Sequence, residues 1–219
     1  MKKLFSFILA VTAIISLTAC NGCNKQEAAA GFEASKDTVV FGAPKMVDYI
    51  IATDRQEMFM NYKGEYRWYE TNITMKNFLD EETDGTVESV NNIFQVVEQE
   101  SETTFDVRVH FFEHTAEGTM KDVIASFWVE DWPMNDEDIK INYEKAFEIV
   151  MSVNMPKPHS RKVVLRKSVG PYEANAQWVF GNIRSQIYVD AVTGEVSEME
   201  PSFDPKNSGK LAKPLGEWP

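Results

Sequence analysis

The sequence predicts an α+β fold: an antiparallel β-meander, then a helix packed on a further antiparallel sheet. Three observations predict it. Residues 103–114 alternate with period two, placing Phe105, Val107, Val109 and Phe111 on one face and Asp106, Arg108 and His110 on the other. Ile139, Tyr143, Ala146, Phe147 and Val150 recur at helical spacing, giving one apolar face. Beyond Pro156 and Pro158, short apolar runs are separated by turn residues.

The elements follow in order. Residues 39–131 have β texture, beginning with the apolar run Val39-Val40-Phe41. Residues 58–62 and 65–69 flank Lys63-Gly64 and read as a hairpin with glycine at its turn. Residues 75–90 are ambiguous, because Met75, Phe78 and Leu79 suit a helix start that Asp84-Gly85 breaks. Residues 93–97 and 103–114 are strands, Gly118 marks a turn, and residues 123–129 (VIASFWV) return as the next strand. Short connections make this set an antiparallel meander. Pro133 ends it, and Asn135-Asp136-Glu137-Asp138 supplies a cap and early negative charge for a helix over 136–151. Strands follow at 162–167, 176–181, 186–190 and 195–199, the last after the turn at Thr193-Gly194. The two β regions can share one continuous sheet. Residues 201–219, rich in Pro, Gly and Lys, read as a strap or a loose tail.

The first residues carry an address. Lys2 and Lys3 precede an apolar run from Leu4 to Leu17, which closes on Leu17-Thr18-Ala19-Cys20. The pattern is that of a secretory signal, and the run is short of the ~20 residues that span a bilayer. The last four residues resemble a bacterial lipobox. The resemblance implies that residues 1–19 are cleaved as a signal peptide and that Cys20 carries the lipid. It also implies that Asn21, in second place, favours the outer membrane, on its periplasmic face or at the cell surface. Residues 20–36 are small and polar and read as a flexible tether. Cys23 shares C-x-x-C spacing with Cys20, but in a polar terminus rather than at the start of a helix, which argues against a redox motif.

Loss of Lys2 and Lys3 leaves 20 basic residues against 34 acidic, a net charge of −14. An acidic surface repels phosphate backbones and anionic headgroups. The charge therefore argues against a nucleic-acid partner and leaves the lipid on Cys20 as the expected membrane contact.

Residues 139–199 resemble a PepSY domain. The match is carried by YEKAFEI at 143–149, by Trp178-Val179-Phe180, and by IYVDAVTGEV at 187–196. The last block is a hairpin marker: Asp190 and Thr193 can bond turn amides, Gly194 can take a positive φ, and Glu195 opens the next strand. The resemblance makes residues 133–200 a PepSY-like module after a β-rich region at 37–132. It implies a helix on a small antiparallel sheet, in a family whose members include modules in the propeptides of secreted metallopeptidases, where they are thought to restrain the peptidase.

The chemistry-bearing motifs are few. His110-Phe111-Phe112-Glu113-His114 spells the inverzincin zinc pattern. That chemistry needs both histidines one helical turn apart. On a strand they stand about 13 Å apart, too far to share a zinc with Zn–N bonds of about 2 Å. Glu81-Glu82 with Asp84, and Asp136 to Asp138, could hold calcium, but neither follows EF-hand spacing. There is no G-x-S-x-G and no phosphate-binding glycine loop. We therefore expect no catalytic residues, no metal and no cofactor. Tyr62, Tyr66, Trp68 and Tyr69 crowd one hairpin and form the candidate binding surface, with ordinary core as the alternative. The expected function is a non-enzymatic, lipid-anchored envelope protein that binds a protein or peptide or regulates a peptidase. The second expectation is a small-ligand or glycan-binding accessory lipoprotein using the aromatic hairpin.

Overall fold

The structure, a computed structural model, describes residues 41–63, 65–99 and 104–207. Cys20, Cys23, the tether, Val39-Val40, Gly64 and residues 208–219 lie outside the described residues.

The fold is α+β, a multi-stranded antiparallel sheet with two helices packed against it. In chain order the elements are α1 (Pro44–Tyr62), β1 (Tyr66–Met75), β2 (Val87–Gln99), β3 (Phe105–Thr115), β4 (Gly118–Ala125), β5 (Asp131–Trp132), α2 (Tyr143–Ser152), β6 (Lys162–Ser168), β7 (Gln177–Asn182), β8 (Ser185–Asp190) and β9 (Val196–Ser197). The strands run β4-β3-β2-β1-β6-β7-β8-β9, and β5 pairs with β6. Two meanders thus join side by side through the β1–β6 pair, from Glu70↔Arg166 to Thr74↔Lys162. The helices cover one face, where Val47, Ile50 and Met58 of α1 and Tyr143, Ala146 and Val150 of α2 meet Ile73, Phe94, Leu165, Trp178 and Phe180 of the sheet. The opposite face carries Tyr69, Ile93, Val107 and Val109, all buried. Trp128 packs edge-on against Phe111 there and donates its backbone N–H to Gln95 Oε1 at 2.7 Å.

Residues 58–62 do not form the first half of a hairpin. They end α1, which starts at Pro44, where the fixed φ suits a first helical position. Lys63 closes it in the left-handed region (φ 52°) and donates its N–H to the Phe59 carbonyl. Residues 65–69 are the strand half of the expectation, extended to Met75 in β1.

The helix expected over 136–151 divides. Asn135 and Asp138 close a reciprocal cap around a single 3-10 turn, Asp136–Asp138. The Lys140 and Ile141 amides then bond the Ala191 carbonyl at 2.7 and 2.8 Å, which draws the chain toward the end of β8 and stops propagation. Asn142 restarts the helix by accepting from the Lys145 amide at 2.9 Å. The strand expected over 123–129 begins earlier, at Gly118, and ends at Ala125, because the Trp128 amide goes to a side chain instead of a ladder. Residues 76–86 are a loop between β1 and β2. The strands expected at 103–114, 162–167, 176–181, 186–190 and 195–199 are β3 and β6 to β9.

Candidate functional site

The two edges of the sheet set the stage. β9 is two residues long, and residues 201–207 follow it as two 3-10 turns. The Tyr172 amide bonds the Ser202 carbonyl at 3.0 Å, which fastens this strap. β4 at the other edge is eight residues long, and every one of them is exposed. Met120 (63 %), Val123 (46 %) and Ile124 (43 %) are apolar and open, and Phe127 and Val129 continue the apolar surface just beyond it. A strand paired on one side leaves alternate backbone N–H and C=O groups facing outward.

Beneath β4 lies a chain of side-chain hydrogen bonds that crosses four strands under α1. Thr119 Oγ1 on β4 is 2.9 Å from His114 Nδ1 on β3. His114 Nε2 is 2.8 Å from Asp54 Oδ2 and 3.0 Å from Oδ1 on α1. Asn92 Nδ2 on β2 donates to Asp54 Oδ2 at 2.7 Å, Thr71 on β1 donates to Asn92 Oδ1 at 2.5 Å, and Trp68 Nε1 reaches Thr71 Oγ1 at 3.2 Å. Asp54, Asn92 and Thr71 are buried, so each needs these partners to offset its desolvation. One turn further along α1, Glu57 takes an ion pair from Lys121 of β4.

The zinc-pattern histidines both lie on β3, at strand and not helix spacing. His110 is buried and meets Tyr62 Oη at 3.3 Å; burial, then the Arg108 charge, lowers its pKa. His114 meets Asp54 instead. Among the described residues no group of three or more His, Cys, Asp or Glu could hold a metal ion.

The candidate binding aromatics do not form one patch. Trp68 and Tyr69 are buried, and burial raises the Tyr69 pKa. Tyr62 and Tyr66 are half-buried against the core. Tyr66 also lines a shallow cavity of about 330 Å³ with Arg67 and Gln95. The Asp190–Glu195 turn holds itself together. Asp190 Oδ1 accepts from the Val192 and Thr193 amides at 2.8 Å, Thr193 Oγ1 accepts from the Glu195 amide at 3.2 Å, and Gly194 sits at φ 78°. Asp190, Thr193 and Glu195 line an open depression of about 1190 Å³ with Glu173, Glu198 and Asp204.

Asp131 was missed in the sequence. It is buried on β5 beside buried Glu70, and its pKa rises to about 8, through desolvation first and the neighbouring Glu70 carboxyl second. Trp128 Nε1 donates to its Oδ2 at 3.3 Å. Asp48 on α1 is likewise raised, to about 6, chiefly by burial, with the Tyr143 amide bond opposing.

Comparison of the chain with protein-family models, with curated protein sequences and with solved structures returned no match.

Proposed function

We propose that the protein is a lipid-anchored envelope module that docks an extended segment of another protein as an added strand on β4. The observation that carries this reading is the contrast of exposure: eight of eight residues open on a long, partly apolar edge, in a sheet whose other edge is short and strapped. An exposed edge of this kind is a template for strand addition, with main-chain bonds giving affinity and alternate side chains giving selectivity.

The docked segment has a definable chemistry. Met120, Asp122 and Ile124 share one face of β4, since they alternate with Thr119 and Lys121, which point toward α1. Their cross-strand partners would be apolar, basic and apolar in turn. A second copy of this chain is disfavoured: two-fold antiparallel pairing centred on the strand sets Lys121 against Lys121, or Asp122 against Asp122. The acidic sequence adds attraction for a basic segment. The resemblance of residues 139–199 to PepSY modules supports a peptidase or its substrate as the source of that segment, and the lipobox-like LTAC at 17–20 supports attachment through Cys20 at the outer membrane. Glycan binding through the aromatics draws no support from the geometry, because Trp68 and Tyr69 have no free ring face.

The test is a charge swap. A fluorescent peptide with Val-x-Lys-x-Val on one face should bind the wild-type protein and lose at least tenfold in affinity when its Lys becomes Glu. Asp122→Lys should reverse that preference. Equal affinity of both peptides for both proteins would sink the reading.

A further inference from the structure

Thr119, His114 and Asp54 are joined in the order a nucleophile, its general base and an orienting carboxylate require, and the outer member of the three is open to solvent. We propose that these residues form an acyl-transfer site, with Thr119 as nucleophile and His114 as base, acting on carboxylic esters.

The geometry meets the two distance criteria for such a site. Nucleophile to base is 2.9 Å and base to carboxylate is 2.8 Å, both within the 2.6–3.2 Å that proton transfer and orientation need. For a neutral imidazole against the Asp54 carboxylate, the contacts select one tautomer: Nε2 carries the hydrogen and Nδ1 is left to accept from the Thr119 hydroxyl. The carboxylate is itself immobilised, since Asn92 Nδ2 donates to it at 2.7 Å and Asn92 is fully buried. Asp54 and Asn92 are positioning residues; Thr119 and His114 are the catalytic pair.

The arrangement differs from its neighbours in ways a purely structural network does not require. The inner links, Thr71 to Asn92 and Asn92 to Asp54, are buried and must be satisfied within the protein. The outer link is not buried: Thr119 is exposed, and water could serve His114 Nδ1 equally well. His110, on the same strand and face, meets the Tyr62 hydroxyl and, among the described residues, no carboxylate within hydrogen-bond reach. His159 meets Asp80 through Nδ1 on the surface, with the Phe78 ring stacked on it at 4.0 Å and, among the described residues, no hydroxyl on its other nitrogen.

The reaction balances with water as the sole co-reactant. Thr119 Oγ attacks the ester carbonyl carbon, forming an Oγ–C bond while its proton passes to His114 Nδ1. The tetrahedral adduct collapses, the bond from carbon to the alcohol oxygen breaks, and His114 returns the proton to that oxygen. Water then attacks the acyl-threonine with His114 again as base, releasing the acid and restoring Thr119. A donor for the developing oxyanion would come from the backbone amides of β4 that do not face β3, since among the described residues β4 pairs with β3 alone. This proposal does not depend on strand docking, because a small ester needs no docked segment.

The test uses the intact protein with p-nitrophenyl acetate and, separately, diisopropyl fluorophosphate. Wild type should turn over the ester and take one phosphoryl adduct, placed on Thr119 by peptide mass analysis. Thr119→Val should lose the adduct and at least about 100-fold in rate, while Thr119→Ser keeps both; the site is exposed, and unchanged melting will show that the Val variant folds. His114→Ala should be as slow, and added imidazole should restore part of the rate beyond its own reaction with the ester, measured as the excess over the same addition to the His114→Ala/Thr119→Val double variant. An ester rate equal in wild type and Thr119→Val, with no adduct on Thr119, would overturn the proposal.

Discussion

The sheet ends in two ways. At β9 the edge is two residues long, turned under by the Asp190–Glu195 hairpin and followed by the strap 201–207. At β4 it runs eight residues with no residue buried. Proteins that expose a strand edge usually shorten it, charge it or cover it, because an open edge invites pairing. This chain protects one edge and leaves Met120, Val123 and Ile124 exposed on the other. Burial is therefore concentrated at the β7–β8 end, where the strand interiors are almost wholly enclosed, while β4 is held by its ladder to β3 and by the Thr119–His114 and Lys121–Glu57 links.

Substitutions at the two ends should differ in size of effect accordingly. The largest effect belongs at the closed end. Trp178 is fully buried and donates Nε1–H to the Ile141 carbonyl at 2.7 Å. Trp178→Ala should cost about 3–5 kcal/mol in urea unfolding. Next comes a matched pair of glycines, both at positive φ. A Cβ at Gly181 (φ 131°) would meet the Ser185 carbonyl, while one at Gly118 (φ 138°) would meet nothing within 4 Å. Both substitutions to Ala strain the backbone by about 1–3 kcal/mol, and only Gly181→Ala adds the collision. Its loss in melting temperature should be clearly the larger.

A smaller effect is set by pH. Asp131 binds its proton more tightly in the folded protein, with its pKa raised to about 8 from an unfolded value near 3.8. Between these values the folded state holds more protons than the unfolded one, so stability falls as pH rises from about 4 to 8. Asp131→Asn should flatten that slope in unfolding titrations at pH 5, 6.5 and 8. The smallest effect belongs at the open edge. Met120→Lys and Ile124→Lys should each change stability by no more than about 0.5 kcal/mol while abolishing binding of the apolar–basic–apolar peptide.

The elements differ in how far they can be read from the letters alone. β3 and β6 to β8 are legible because their side chains alternate or form short apolar runs bounded by Pro, Gly and Asn. α1 is not. Its buried face is Val47, Ile50, Ile51, Asp54 and Met58, a helical spacing interrupted by an acid. Asp54 looks like solvent-facing residue until the histidine and asparagine that satisfy it, sixty and thirty-eight positions away, are brought beside it. Lys63-Gly64 imitates a hairpin turn, and the flanking aromatics imitate strands. In the 123–129 run, Val, Ile, Phe and Trp have core composition, yet Val123, Ile124 and Phe127 are exposed and only Trp128 turns in to meet Phe111. Composition cannot tell an edge strand from a central one, because the distinction lies in whether a further strand follows. The Asp190–Glu195 turn was fully legible, since its bonds are local to six residues. The Thr119–His114–Asp54 line was half legible: His114 stood out, but in company with His110 instead of Asp54.

The pairing of β1 with β6 has a consequence for how the chain is made. Thr74 lies far upstream of Lys162, its partner in the register. In a chain threaded N-terminus first across the inner membrane, the route that the proposed lipid anchor requires, β1 to β4 reach the far side before β6 does. Until β6 arrives β1 has a neighbour, β2, on one side only, and a half-sheet β4-β3-β2-β1 formed in that interval would have an open strand at both ends. Arrival of β6 seals one of these two borders. A holding chaperone that favours extended apolar strands would find its target there, beyond the membrane, and would have to release β1 for the β1–β6 pair to close.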